Sequence, residues 1–548
     1  MFEQLSHSIP APARNRRVLF WLLLVLVVVA SIRVRLLDMP LERDEGEFAY
    51  GAQMLIQGIS PYQAAYNVTL KLPGTCVAYA FFMALFGQTA TAIHLGALIV
   101  NLATTILIFI FARRIFGDGG GVIAAGTFAI LSLLPMVQGL AAHATHFVML
   151  PAIAGVLLLQ NLDGQTKART VFCAGLFFGL ATLMKQTGAA FGIFAAAWIF
   201  QNEISGEQKQ WPRLAKRLLW LALGGLLPLA LTIAAIAATG DFHQFWFWTV
   251  QYAAAHEKIL GVDFKFVLGD LSQQFMASPA LWSMAIFGFV ALFFGRSLQR
   301  WKFFLGSFSI FSFLAVCPGW YLRGHYFIQF LPAAGLLVAS AFCTLQKTFS
   351  NSPFPKLIPA AIVAVAAVSS LIQWNEIYFR LTPAQACREI YDTNPFPEAV
   401  EISRYLESRC PPDAKILVMG SEPEIYFYSH RRAATGYICT YPLVEEQPYA
   451  TQMADEMAHE VEQSKPLYVV YVNVLGSWFQ STAHGNPAIF DWFNNYRQKN
   501  LKLVGFAEIK PDAPTQYRWS DENEMNPDLG GGTWVAIFKA ASGQIRQP

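Results

Sequence analysis

Apolar runs of membrane-crossing length recur between residues 18 and 372, separated mostly by short loops. A hydrocarbon core of about 30 Å takes roughly 20 residues of helix, so this succession excludes a soluble globular fold for the region. The runs are Val18–Ile32, Ala92–Ala112, Gly120–Gly139, Phe147–Leu162, Val171–Gln201, Leu218–Ala238, Ala280–Phe294, Phe303–Val316, Tyr326–Leu345 and Leu357–Ile372. Lys and Arg mark cytoplasmic loops. Arg14, Arg16 and Arg17 therefore keep the N-terminus inside, and no small-residue cleavage site follows the first run. Basic loops flank Val171–Gln201 on both sides, with Lys167 and Arg169 before it and Lys209, Arg213, Lys216 and Arg217 after it. That segment must cross twice, turning outside at Lys185-Gln186-Thr187. The expectation is a polytopic α-helical membrane protein with about eleven transmembrane helices and an exoplasmic C-terminus.

Two domains follow from this: residues 1–382 in the membrane and residues 383–548 as a soluble α/β domain. In the latter, Pro397–Leu406 reads as a helix, and Lys415–Gly420 and Leu467–Val472 as buried strands. Helices near 446–463 and 489–499 and strands at 501–508 and 533–538 complete a small, mostly parallel sheet. No nucleotide-binding motif is present. A net charge of +3 does not suggest nucleic acid, and the seven cysteines show no metal spacing. Cys387, Cys410 and Cys439 leave room for one bridge.

Only 14% of the chain is charged, so the knot Arg43-Asp44-Glu45-Gly46-Glu47 in outer loop 37–90 stands out. Carboxylates beside a membrane are costly to desolvate, which raises the question of chemistry. Phe48, Ala52, Leu55 and Ile56 share one helical face, with Asp44 and Glu45 at the helix start. There they serve either as an acidic cap or as a base or cation ligand. On the same loop, Lys71 fits a phosphate oxygen or snorkels to headgroups. Thr75–Phe86 is too short to cross and is expected to lie in the interface or to pack on the bundle. Further along, His143 and His146 share a helical face and, with Asp44 or Glu45, form a candidate site for a divalent metal ion or acid–base work. Lys185, Arg323, His325 and Tyr326 sit at outer turns, where they either hold a phosphate or anchor the chain. The aromatic residues Phe242 to Trp248 in outer loop 239–278 suit the interface.

All these groups fall on one side of the membrane. Cations for a phosphate, a carboxylate to deprotonate a hydroxyl and apolar surface for a lipid are what a polyprenyl-phosphate-sugar requires. A lipid or sugar transporter or flippase is the alternative. It calls for ionisable groups in mid-membrane, which most of these runs nearly lack.

The first outer loop resembles that of the GT-C glycosyltransferases of the dolichyl-phosphate-mannose-protein mannosyltransferase type, which include the bacterial aminoarabinose transferases. The resemblance rests on Asp44-Glu45, Gly58-Ile59-Ser60-Pro61-Tyr62, Lys71-Leu72-Pro73-Gly74 and the short apolar helix after them. Ala112–Gly117 and His325–Pro332 are similar too. The resemblance implies a GT-C fold in a bacterial inner membrane and transfer on the periplasmic side. The donor is a polyprenyl-phosphate-sugar and the acceptor a lipid, glycan or protein. Asp44 would be the base with Glu45 beside it, Glu47 nearby, and Lys71 near the donor phosphate. Two departures stand out. His146 occupies about the place of a second acid, and Leu72 interrupts the family's Lys-Pro-Pro.

Overall fold

The computed structural model describes residues 12–65, 71–205, 209–255, 264–294, 296–320, 322–478, 486–511, 513–520 and 531–541; the side chain of Arg14 lies outside them. Helices α1 (Pro12–Arg35), α2 (Arg43–Ile56), α3 (Pro61–Ala64), α4 (Gly74–Phe86), α5 (Ala90–Leu131), α6 (Ala144–Leu159), α7 (Ala168–Met184), α8 (Ala189–Ile204) and α9 (Trp211–Ala238) come first. They are followed by α10 (Phe242–Trp246), α11 (Phe264–Met276), α12 (Pro279–Phe294), α13 (Lys302–Leu314), α14 (Leu331–Thr348) and α15 (Leu357–Gln373). Among the described residues, Arg16–Arg35, Ala90–Leu131 and Trp211–Ala238 are long and apolar enough to cross a membrane. α11 and α12, bent by 105° against each other, qualify together, and α4, α6, α7 and α15 are shorter apolar helices.

Two expected runs are halves of α5. They part at Gly117, whose φ of 75° and ψ of −175° only glycine adopts cheaply. The second half stops at Leu131 rather than Gly139. Pro135 opens a short 3-10 turn and Gln138 is left-handed, so residues 132–143 form a buried loop. Tyr326 likewise begins no long helix: Gly324–Gln329 is a 3-10 segment and α14 starts at Leu331. Loop 239–278 is also more ordered than expected. A π-helical stretch, Phe247–Tyr252, follows α10, and α11 fills its end. α4 spans about 20 Å at the α-helical rise, too short to cross, as expected of that segment.

The C-terminal part contains α16 (Pro383–Tyr391), α17 (Phe396–Arg409), α18 (Glu424–Ser429), α19 (Tyr441–Val444), α20 (Ala450–Ser464) and α21 (Ala488–Asn500) around one sheet. Its strands are β1 (Lys415–Met419), β2 (Arg432–Ala433), β3 (Tyr468–Asn473), β4 (Leu501–Lys510), β5 (Ala513–Trp519) and β6 (Thr533–Ala540), in the order β2-β1-β3-β6-β4-β5. The expectation of a mostly parallel sheet is corrected: β1 pairs parallel with β2 and β3, but β3–β6, β4–β6 and β4–β5 are antiparallel. The buried run at β1 looks like a doubly wound strand, whereas β4, β5 and β6 pair only antiparallel with their neighbours, β6 lying between β3 and β4. Cys387, Cys410 and Cys439 are buried, and none of them is in a disulfide.

The two parts share one core. Phe48, Tyr79 and Ile93 belong to the same buried cluster as Ile402, Ile416, Tyr426 and Val470. The aromatic segment also turns inward in part: Trp248 packs against Tyr252 and Tyr437, while Phe242 and Trp246 stay exposed.

Candidate active site

Helix α2 starts on a capping box. Glu42 accepts from the Glu45 amide at 2.9 Å, and Glu45 accepts from the Glu42 amide at 3.1 Å. The cap thus uses Glu42 and Glu45 and turns Asp44 and Glu47 to another face. Lys71 Nζ donates to Asp44 Oδ1 and to Glu47 Oε2, both at 2.8 Å, and stands 4.5 Å from the centre of the Phe48 ring. Glu45 is fully buried and receives hydrogen bonds from the Ala142 amide and from His94 Nε2 at 3.0 Å. It is a framework carboxylate rather than a group open to the cavity.

His143 and His325 meet over Asp44. Their rings stack 4.2 Å apart at 11°. His143 Nδ1 lies 3.9 Å and His325 Nε2 3.7 Å from Asp44 Oδ2, and His143 Nδ1 is 3.6 Å from Glu42 Oε1. These distances are too long for hydrogen bonds. Burial keeps both imidazoles neutral: it pulls His143 down to about 4 and His325 well below its usual value. His325 Nδ1 pairs with Gln138 Oε1 at 3.1 Å, which makes Nδ1 the donor and leaves a lone pair at Nε2 facing the carboxylate. His143 Nε2 is buried without a hydrogen-bond partner. One carboxylate and two neutral imidazoles, with ligand atoms within 4.8 Å of one another, are a donor set that fits a divalent transition-metal ion. His146 does not join them. Its Nε2 bonds the Gly139 carbonyl at 3.0 Å, since the early end of α5 sets it one turn inside α6. The sequence pairs His143 with His146; the fold pairs it with His325.

Burial works against charge on Asp44, but Lys71, ahead of the imidazoles, outweighs it and holds the carboxyl well below its ordinary pKa. Glu47 goes the other way, because burial outweighs Lys71. Lys185 Nζ sits 3.6 Å over the Tyr326 ring. Burial, with Lys71 and Arg323 nearby and Asp44 opposing, brings it down to about 7. Asp44, Glu47, Lys71, His143, Lys185, Arg323, His325 and Tyr326 all line one cavity of about 510 Å³. A second cavity of about 1020 Å³, lined almost wholly by apolar side chains of α4, α6, α7 and α9, adjoins it; Lys71 and Met184 line both.

The C-terminal part closes the site from above. Arg43 pairs with Glu422 at 3.2 Å, the Cys439 thiol contacts Glu47 Oε1 at 3.2 Å, and Tyr441 and Gly476 line the polar cavity. The Ala433 amide donates to Tyr50 Oη, and the Leu41 amide to Tyr428 Oη, both at 2.9 Å. Gly46 has no room for a side chain: a Cβ there would lie 2.6 Å from the Glu424 amide nitrogen. Sequence reasoning missed these partners. Ser421-Glu422-Pro423-Glu424, acids just past the carboxyl end of β1, was the available signal.

A family model, "Dolichyl-phosphate-mannose-protein mannosyltransferase", matches residues 73–236. No curated protein sequence matches significantly. Among solved structures, ArnT from Cupriavidus metallidurans bound to undecaprenyl phosphate is 16% identical, with a TM-score of 0.56 over 84% of this chain and 93% of that one. The archaeal oligosaccharyltransferase AglB from Archaeoglobus fulgidus, in complex with an inhibitory peptide and a dolichol-phosphate, is 13% identical. Its TM-score is 0.52 over 92% of this chain and 75% of that one. The oligosaccharyltransferase of the same organism in complex with Zn and sulfate is 14% identical with the same TM-score, over 90% and 73%. The segment 73–236 thus matches that family model, and the chain as a whole shares the fold of ArnT and AglB.

Proposed function

We propose that the protein transfers a sugar from a polyprenyl-phosphate carrier to a hydroxyl of a lipid, glycan or protein acceptor, on the periplasmic side of a bacterial inner membrane. In this reading about eleven crossings, with the N-terminus inside, put the polar cavity and residues 383–548 on the outer side. The observation that carries it is the junction at Lys71, where a long apolar groove opens onto a cationic, carboxylate-bearing cavity. ArnT and AglB, whose structures hold undecaprenyl phosphate and dolichol-phosphate, share the fold.

The prenyl chain lies in the groove and its phosphate at Lys71, Lys185 and Arg323. Asp44 takes the proton of the acceptor hydroxyl as the new C1–O bond forms. The old C1–O bond to phosphate breaks, and the leaving phosphate keeps the electron pair beside the three cations. Resting Asp44 is a weak base because Lys71 neutralises it. When the donor phosphate draws the Lys71 charge away, the Asp44 pKa rises toward working range. Glu47 keeps Lys71 within reach of both. Asp44, His143 and His325 would hold a divalent ion, which supplies Lewis-acid stabilisation of phosphate charge when bound.

The test is full-length Asp44→Asn in proteoliposomes with a polyprenyl-phosphate-sugar donor. Transfer is expected to fall by about 10²–10⁴-fold. Undiminished turnover would remove Asp44 as the base, and movement of labelled lipid with no covalent product would favour a transporter.

A further inference from the structure

A third cavity, of about 190 Å³, lies where the outer segment of the membrane part meets the C-terminal part. Phe247, Trp248, Tyr437 and Tyr449 line it: Trp248 and Tyr437 are buried against each other, and the half-buried Phe247 and Tyr449 rings meet edge to face at 5.1 Å. Gln452 and Glu456, both exposed on α20, edge the opening together with His243 and Gln244. Tyr437 donates to Glu456 Oε2 at 2.8 Å, which fixes that carboxylate and leaves its other oxygen to accept.

We infer that this cavity is a saccharide subsite holding one pyranose ring of a sugar-bearing acceptor. The volume is below the roughly 300–1,000 Å³ typical of drug-sized ligands, so a single ring fits and an oligosaccharide does not. Aromatic faces meet the apolar C–H face of a sugar, while amides and a carboxylate meet its hydroxyls. Among the described residues no Lys or Arg lines the cavity, so they do not favour a phosphate or lipid headgroup. An acyl chain would leave the Gln452 and Glu456 rim unused. Position adds to chemistry. Thr249 and Val250, on the same π-helical segment as Phe247 and Trp248, line the polar cavity. Tyr441, four residues after Tyr437, lines it too. A ring held here lies against the same two segments that help line the polar cavity. The assignment to an acceptor rests on the glycosyltransferase reading; the binding of a pyranose does not.

Saturation-transfer NMR on the full-length protein in detergent, with methyl α-mannopyranoside, methyl β-glucopyranoside and methyl β-galactopyranoside as probes, tests it. At least one probe should show ring-proton saturation that falls five-fold or more in Gln452→Ala and in Tyr449→Ala but persists in Asp44→Asn. Gln452 is exposed, so its variant keeps the fold even if Tyr449→Ala does not. No transfer above that of empty micelles, or transfer unchanged in Gln452→Ala, overturns the subsite. Signal confined to an added tryptophan dipeptide assigns the cavity to a peptide and overturns it as well. Pyranoside binding without any transferase activity leaves the subsite standing and removes only the acceptor role.

Discussion

Lys71 shows how much a single residue decides here. It joins Asp44 to Glu47, two carboxylates three residues apart on one face of α2, and among the described residues it is the charged one common to the groove and the polar cavity. Lys185 is its complement, a half-buried ammonium pulled down to about 7 by burial first and by Lys71 and Arg323 next. Only the protonated form attracts phosphate. Donor affinity should therefore weaken as pH rises from 7 to 8.5, with Lys185→Arg flattening the profile; donor KM against pH measures this. Glu424 makes a second residue-scale case. Both its carboxylate oxygens are buried without a partner, and burial, then Glu422, raise its pKa well above the ordinary value. An acid with a raised native pKa binds more protons folded than unfolded. Stability is then lost as pH climbs from the unfolded value toward the folded one. Glu424→Gln should raise the thermal midpoint at pH 8, by on the order of 1 kcal/mol in stability, and leave it nearly unchanged at pH 4. Equal effects at both pH values would refute this.

At the scale of elements, α2 is the part that the sequence describes best and places least. Its capping box, its apolar face with Phe48 and Ala52 and its acidic first turn are local features, readable from spacing. That residues 45–54 are buried throughout is not local, because α18 covers the side opposite α4. Gly46→Ala should cost about 1–3 kcal/mol through overpacking against a backbone that cannot move aside. A thermal melt of the variant checks it, and a change under 0.3 kcal/mol would show that α18 yields. The expected run Gly120–Gly139 extends into residues 132–139 of the 132–143 loop because they are largely apolar. Its burial makes it apolar, and Pro135 with left-handed Gln138 makes it a loop. That loop carries the Ala142 amide to Glu45 and His143 to Asp44.

Across the whole molecule, residues 383–548 do not behave as a separable module. Their core continues into α2, α4 and α5, and Arg43–Glu422 and Glu47–Cys439 tie the acidic knot to them. Because the core is shared, truncation after residue 382 should abolish transfer, and limited proteolysis should show α2 newly cleavable. Turnover within ten-fold of the intact protein would mean that α2 holds without its cover.

Periodicity, apolar length and the order of charges sufficed for the apolar helical class, the short helix α4, the C-terminal strands and helices, and a set of residues, Asp44, Glu47, Lys71, Lys185, Arg323, His325 and Tyr326, that line one cavity. Such properties depend on near neighbours in the chain and on the cost of placing charge in hydrocarbon. Pairings between distant segments left no such trace. The stacking of His143 on His325 and the reach of Glu422, Glu424 and Cys439 to the first loop follow from how helices and sheet pack together. Packing depends on shape at every contact at once, and no stretch of sequence carries that on its own.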